Sequence, residues 1–422
     1  YYTLLKNQFL TLDELSMINW NKRKKILHYA FEKVPYYQKK FKEADLTPSD
    51  ITDPEDYRKI PLLTKDDLRN SFDDILALEV EKKHLRLSST GGSTGTPVKV
   101  FHDKRFPTET LIWRMLSWWN LTPNVDSAYV WRMTRNTRLS RILYSLVWWP
   151  TRRILFDASS MTSSDIGRFI QSFNQIKPDL LEGYVGAISH LASFIEKNNI
   201  VIHSPKAIWV TSSPLPRIKR QFIENTFNAP VYDQYGCSEV LYIAAECRMR
   251  KYLHIFTDTN YIEIVDEIGN PIPNEEMGRI VITDLENYAF PLIRYVTGDR
   301  GRKISDVCSC GNNLPLMDSV KGRETDLVIL PDNSFLTGEY LTTIFDDFPD
   351  AVNAFQIRQK KDFSIVISVV PNPHNKNINT VLNHIKNVLT RKTRSLIPIN
   401  IKIVDQITHD RGKNYYIISE IK

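Results

Sequence analysis

Residues 179–213, "DLLEGYVGAISHLASFIEKNNIVIHSPKAIWVTSS", hold two short apolar runs, "DLLEGY" and "AIWVTSS", separated by the longer amphipathic segment "AISHLASFIEK". Short strands spaced by helix-length segments predict a parallel sheet, because a parallel neighbour is reached only through a crossover. The pattern repeats C-terminally, with a helix over 218–227 and the strand "PVYDQYG". Beyond it "YLHIF", "YIEIVD" and "GRIVITDL", with a turn at "EIGNPIPNEE", read as antiparallel strands. Upstream, the first hundred residues read as helices. Ile26, Leu27, Ala30, Phe31 and Val34 share one helical face, and Pro35 ends that helix.

The pattern changes near 322–326. A hairpin "FQIRQKKDFSIVISVV" follows, then a helix with Ile378, Val381, Leu382, Ile385, Val388 and Leu389 on one face, then "INIKIVDQI" and "GKNYYIISEI". The expected fold class is α/β. A large N-terminal domain, 1–325, holds parallel sheets flanked by helices plus antiparallel strands. A small, mobile α+β C-terminal domain, 326–422, is joined to it by a hinge.

At 422 residues the chain is long enough for such a division. Its net charge of +6, from 55 basic and 49 acidic residues, is mild, and no basic stripe joins a nucleic-acid-reading module. No apolar run reaches the roughly 18 residues of a membrane span. The opening residues carry no signal-peptide pattern. Four cysteines do not make a disulfide scaffold, so a reducing cytoplasm is expected.

The stretch 88–100, "SSTGGSTGTPVKV", is glycine-rich in an otherwise Gly-poor chain. Glycines admit close backbone approach, and Ser and Thr add hydroxyl donors, which suits polyphosphate. It is not a Walker A loop, since Gly95 is followed by Thr96 and Pro97, with Lys99 displaced. Composition alone leaves a surface turn open. In chain order come "TSSPLP" (211–216), "YDQYGCSE" (232–239), "NYAFPLIRYVTGDRG" (287–301), "KGRETD" (321–326) and "RGK" (411–413).

The order and content of these motifs, with "VPYYQKKF" and "CSCG", resemble the adenylate-forming superfamily. The likeness is greatest to its phenylacetate–CoA ligase-like branch, which includes the CapK-type proteins, and it covers almost the whole chain. It implies an enzyme that joins a small-molecule carboxylate to the α-phosphate of ATP and expels pyrophosphate. Ser89, Thr90, Gly91, Gly92, Ser93, Thr94, Gly95 and Thr96 would then grip the β- and γ-phosphates. Glu239 matches the Mg²⁺ carboxylate, and magnesium needs few protein oxygens beside those of phosphate. Tyr235 would face adenine, Gly236, Ser213 and Pro214 would also bind the nucleotide, and Ser238 would sit near the α-phosphate. Asp299 would accept the ribose hydroxyls, and Arg323 would reach ribose or phosphate. Arg294 is as readily a structural ion pair. Lys413 matches the lysine delivered by the small domain to stabilise developing negative charge. Tyr184 and Gly186, in "EGYVG", would border the acyl group.

Two departures stand out. The acid expected at Thr325 is displaced to Asp326, and "SSPLP" lacks a Glu near the adenine pocket. Cys247, His254, Cys308 and Cys310 would make a Cys₃His structural zinc site, an arrangement similar to one in the same branch; from spacing alone, ordinary thiols and a surface His remain open. Cys237 is read as packing, with no base placed to activate it. Trp113, Trp118, Trp119, Trp148 and Trp149 interleave with Arg114, Arg138, Arg141, Arg152 and Arg153. That segment reads as core with a charged outer face, as an acyl-pocket wall, or as peripheral membrane contact.

The resemblance implies transfer of the acyl group to a thiol, most simply coenzyme A. Transfer to an amine or hydroxyl in surface-polysaccharide synthesis, and a non-catalytic nucleotide-binding component of glycan assembly, are the competing readings. A kinase is disfavoured by the missing Walker lysine and catalytic loop.

Overall fold

The structure is a computed structural model. It describes residues 1–89, 98–131, 146–158, 161–320, 327–332, 335–337, 341, 344–345, 348, 351–373, 375, 377–407 and 416–421. The chain forms two compact units, each built from two separated segments: 1–120 with 234–320, and 121–233 with 321–422.

In the first unit the helix Leu12–Lys33 starts at a capping box between Thr11 and Glu14. Pro35 closes it and opens the next helix, Pro35–Glu43, at the position where a missing N–H costs nothing. Tyr37 and Phe41 of that helix enter a core with Ile282, Phe290, Leu292 and Tyr295. There the Tyr37 hydroxyl donates to the Pro291 carbonyl (2.9 Å) and accepts from the Ile293 amide (3.0 Å). Asn260–Val265, Gly278–Asp284 and Tyr295–Gly301 form a three-stranded antiparallel sheet. A second antiparallel set runs from residues 234–235 through Ala244–Glu246, Leu253–Ile255 and Leu316–Met317 to Lys303–Ile304.

One departure from the sequence reading lies here. Leu85–Ser89 is a strand rather than helix, paired antiparallel with Lys99–Asp103. The glycine-rich stretch is therefore flanked by the two arms of a hairpin.

In the second unit Arg153–Asp157, Ser127–Trp131, Leu180–Tyr184, Ala207–Thr211 and residues 231–233 lie side by side in parallel. Ala128, Val130, Leu181, Ile208 and Val210 bury one face against the helices Ser163–Ile176, Val185–Lys197 and Arg217–Phe227. The expected α/β alternation is present. The C-terminal part is α+β as expected: a four-stranded mixed sheet, in the order Ile399–Ile403, Ile365–Pro371, Val352–Gln359, Ile417–Ser419, with the helix Ile378–Lys392. Ile218 of the helix Arg217–Phe227 packs into its core. No described helix is long and apolar enough to cross a membrane.

Lys219, on the same helix, is buried, with its ammonium 4.5 Å from the centre of the Tyr416 ring. Burial pushes its pKa from 10.5 down to about 7. The ring face favours the charged form, but by less than the desolvation opposes it. Above about pH 7 the native chain releases this proton while the unfolded chain keeps it to about pH 10, so the contribution of Lys219 to stability rises across that window. Lys219→Met is expected to raise the melting temperature most near pH 6, with the gain shrinking toward pH 10. A gain constant across a melting series would show that Lys219 does not titrate there.

Candidate active site and Cys/His cluster

In the second unit Tyr184 and Thr211 are cross-strand partners at the C-terminal edge of the parallel strands. Gly186 and the pair Ser213–Pro214 therefore leave the sheet at that same edge, where open α/β sheets hold their ligands. Tyr184 caps the helix Val185–Lys197, with Gly186 in its first turn. Ser212 holds a left-handed backbone, φ +77°, which turns the chain into "SSPLP". The Tyr416 hydroxyl donates to the Pro214 carbonyl at 3.1 Å.

In the first unit the "YGCSE" and "RYVTGD" segments are brought together. The Tyr235 hydroxyl donates to the Asp299 carboxylate (3.0 Å), and the Tyr295 hydroxyl donates to Glu239 (2.7 Å). Burial and the adjoining carboxylates push both phenols up, so both stay protonated donors. Tyr295, Thr297 and Asp299 lie along one strand, whose pairing is irregular opposite Ile280, where Gly298 takes φ +82°. A methyl at Gly236 would collide with the carbonyl of Leu241, so only glycine allows this tight turn.

Buried His102, whose pKa burial lowers to about 4, is neutral and donates from Nε2 to the Ser238 carbonyl (2.9 Å). Burial and Glu239 push the Cys237 thiol well up, as suits a packing residue and not a nucleophile. Arg294 is a structural ion pair. It is buried, it bonds Glu263 at 3.1 Å, and it donates to the carbonyls of Arg58, Ile60 and Gly269. Ser89 ends its strand opposite Lys99. Thr90, Gly91, Gly92, Ser93, Thr94, Gly95, Thr96, Arg323, Thr325, Asp326 and Lys413 lie outside the described residues.

The four donors of the cysteine set converge. The ligand atoms of Cys247, His254, Cys308 and Cys310 all lie within 4.8 Å of one another. Cys247 Sγ is 3.6 Å from Cys308 Sγ, and Cys310 Sγ is 3.4 Å from His254 Nε2. Tetrahedral ligands at zinc distances lie about 3.5–3.8 Å apart, so the set fits such an ion. His254 is fully buried, which removes the surface-His reading. Burial lowers its pKa to about 4, leaving the neutral imidazole a metal requires, and Nδ1 faces the Leu314 carbonyl at 3.3 Å. Desolvation raises the thiols of Cys247 and Cys310, a tendency that a cation reverses.

The tryptophan-rich helix Glu109–Trp118 supports this cluster, which sequence reasoning missed. The Trp118 ring packs on His254 and Phe256, and Trp119 Nε1 donates to the Glu246 carbonyl (2.9 Å). Arg114, read as part of a charged outer face, is instead fully buried and paired with Asp258 at 2.8 Å. Its partner is 144 residues away, beyond the reach of any local pattern.

Residues 328–420 match the CapK C-terminal domain family. The chain is 25% identical over 331 residues to the phenylacetate-coenzyme A ligase of Pseudomonas putida, covering 75% of this chain and 71% of that protein. It is 24% identical over 415 residues to protein CapK of Staphylococcus aureus, covering 94% and 87%. Among solved structures, 2-hydroxyisobutyryl-CoA ligase in its postadenylation state superposes with a TM-score of 0.78 over 98% of this chain and 91% of that one, at 17% identity. Residues 328–420 thus match the CapK C-terminal domain, the chain as a whole is similar in sequence to phenylacetate-coenzyme A ligases and to protein CapK, and its fold is that of 2-hydroxyisobutyryl-CoA ligase.

Proposed function

We propose that this AMP-forming carboxylate ligase activates a small carboxylic acid with ATP and passes the acyl group to coenzyme A. The paired hydrogen bonds Tyr235–Asp299 and Tyr295–Glu239 carry the reading. They preset a diol-accepting carboxylate and a metal-accepting carboxylate in one unit, beside the Gly236 turn. A carboxylate oxygen of the acid attacks the α-phosphorus. The bond from that phosphorus to the β-bridging oxygen breaks, and pyrophosphate leaves with the electron pair. Mg²⁺, which Glu239 would hold, supplies charge neutralisation on the phosphates.

The remaining work is positioning. Asp299 accepts the ribose hydroxyls, Tyr235 lies against adenine with Ser213 and Pro214, and Ser238 stands near the α-phosphate. The loop 89–96 and Arg323 hold phosphate, and Tyr184 and Gly186 border the acyl group. Lys413, on the small domain 326–422, stabilises the developing charge. Tyr416, three residues further along the chain, donates to the Pro214 carbonyl of the "SSPLP" motif. The Cys₃His set holds a structural zinc. A cytoplasmic site suits its free thiols. A second reading, which the resemblance to the CapK-type proteins implies, has an amine or hydroxyl of a surface polysaccharide as the acceptor.

ATP–pyrophosphate exchange with Mg²⁺ across aromatic, fatty, hydroxy and amino acids tests the proposal. Exchange with one class is expected, and Lys413→Ala is expected to lower it by on the order of 10²–10³-fold while ATP still binds. ATP binding without exchange for any acid would overturn adenylation. AMP release that coenzyme A does not accelerate would move the acceptor to the second reading.

A further inference from the structure

The part of the tryptophan-rich segment that does not support the Cys/His cluster has a different character. Leu146 and Val147, in helical backbone, and Trp149 just beyond are 66%, 75% and 78% exposed. Val201, Ile268 and Val307, also exposed, each stand alone along the chain. Three large apolar side chains within four residues make a patch, and patches of this kind mark contact surfaces.

The surrounding sequence says what would cover it. Between Asp126 and Asp157 there is no acidic residue and no lysine, but six arginines: Arg132, Arg135, Arg138, Arg141, Arg152 and Arg153. Leu139, Ile142, Leu143, Leu146 and Val147 recur at i, i+3, i+4, i+7 and i+8, the spacing of one helical face. The first three lie outside the described residues; Leu146 and Val147 themselves are exposed to solvent. Arg153 stacks its guanidinium 3.4 Å from the centre of the Trp148 ring, while exposed Arg152 pairs with Asp126 at 2.6 Å. A basic amphipathic face with tryptophan beside it suits the boundary between anionic headgroups and acyl chains. Two such arginine-rich faces repel each other, which disfavours a second copy as the occupant.

We infer that residues 146–153 dock the protein on an anionic lipid surface, with Leu146, Val147 and Trp149 entering the bilayer interface and exposed Arg152 at the headgroups. This is independent of which acid the enzyme activates.

Co-sedimentation of the full chain with phosphatidylglycerol/phosphatidylcholine vesicles and with pure phosphatidylcholine vesicles tests it. Binding to the anionic vesicles, weakened by salt, is expected. The L146S/V147S/W149S variant should bind them about tenfold or more weakly, with Trp149→Ser alone giving a partial loss. Both variants should keep the wild-type melting temperature, because these side chains are already in water. Absence of vesicle binding, or equal binding by the triple variant, overturns the proposal. So does a wild-type oligomer in vesicle-free solution that the triple variant dissolves, which would assign the patch to self-association.

Discussion

Glu239→Gln is expected to lower ATP–pyrophosphate exchange by on the order of 10²–10³-fold and to raise the Mg²⁺ concentration needed for half-maximal rate. Glutamine keeps the shape of the side chain and an oxygen to accept the Tyr295 hydroxyl, so the variant removes charge and little else. The residue is buried. Tyr295→Phe makes the complementary change: the charge stays and its orientation is lost. Orienting partners of metal ligands are worth about 10- to 100-fold, so Tyr295→Phe should fall between wild type and Glu239→Gln. Removing a hydrogen bond to a charged group should also lower stability by about 1.5–3 kcal/mol, read from urea unfolding. If Glu239→Gln kept both its rate and its magnesium dependence, Glu239 would be a structural acceptor for Tyr295 and no metal ligand.

The second large effect is expected at the Cys/His cluster. The protein as purified should contain one zinc per chain, and Cys310→Ser should reduce this to near zero by elemental analysis. His254 lies in the strand Leu253–Ile255, Cys247 directly follows its neighbour Ala244–Glu246, and Cys308 and Cys310 lie in the loop leading to the strand Leu316–Met317 on its other side. An ion there cross-links three adjacent strands. Structural zinc supplies about 10–16 kcal/mol of apparent binding energy, comparable to the whole stability of a domain at about 5–15 kcal/mol. Loss of the ion should therefore lower the melting temperature by about 10 °C or more, and a strong chelator should do the same to the wild type. A metal-free protein whose stability a chelator leaves unchanged would assign the cluster to packed thiols.

The legible parts of the fold were those set by local period. The α/β alternation after residue 179 and the C-terminal hairpin and helix carry strict patterns of 2 and 3.6, and the chain follows them. The strand Leu85–Ser89 was not legible. Its side chains do not alternate, and Leu87 faces solvent, so its conformation comes from pairing with Lys99–Asp103. At the candidate site, motif order singles out Glu239, Tyr235 and Asp299, and the structure pairs Tyr235 with Asp299. Tyr295 was overlooked: it shares a strand with Asp299, but an irregularity at Gly298 breaks the period of two between them. The Arg114–Asp258 pair and the support given by Trp118 and Trp119 to the cluster depend on contacts more than a hundred residues apart. A helical stripe of Trp and Arg does not reveal which of its charges are buried.

Each compact unit is assembled from segments that the other interrupts, and this bears on how the chain leaves the ribosome. Tyr37 waits for Ile293, and the core it occupies is closed by Phe290 and Leu292. At about 5–20 residues per second, the roughly 200 residues between the first segment and the end of its completing one take about 10–40 s to appear. Throughout that delay the amphipathic helices of the N-terminal segment have no finished core to cover. Nascent chains stalled before residue 320 should therefore be protease-sensitive and prone to capture by chaperones, and the two halves of the gene product should not fold when expressed apart.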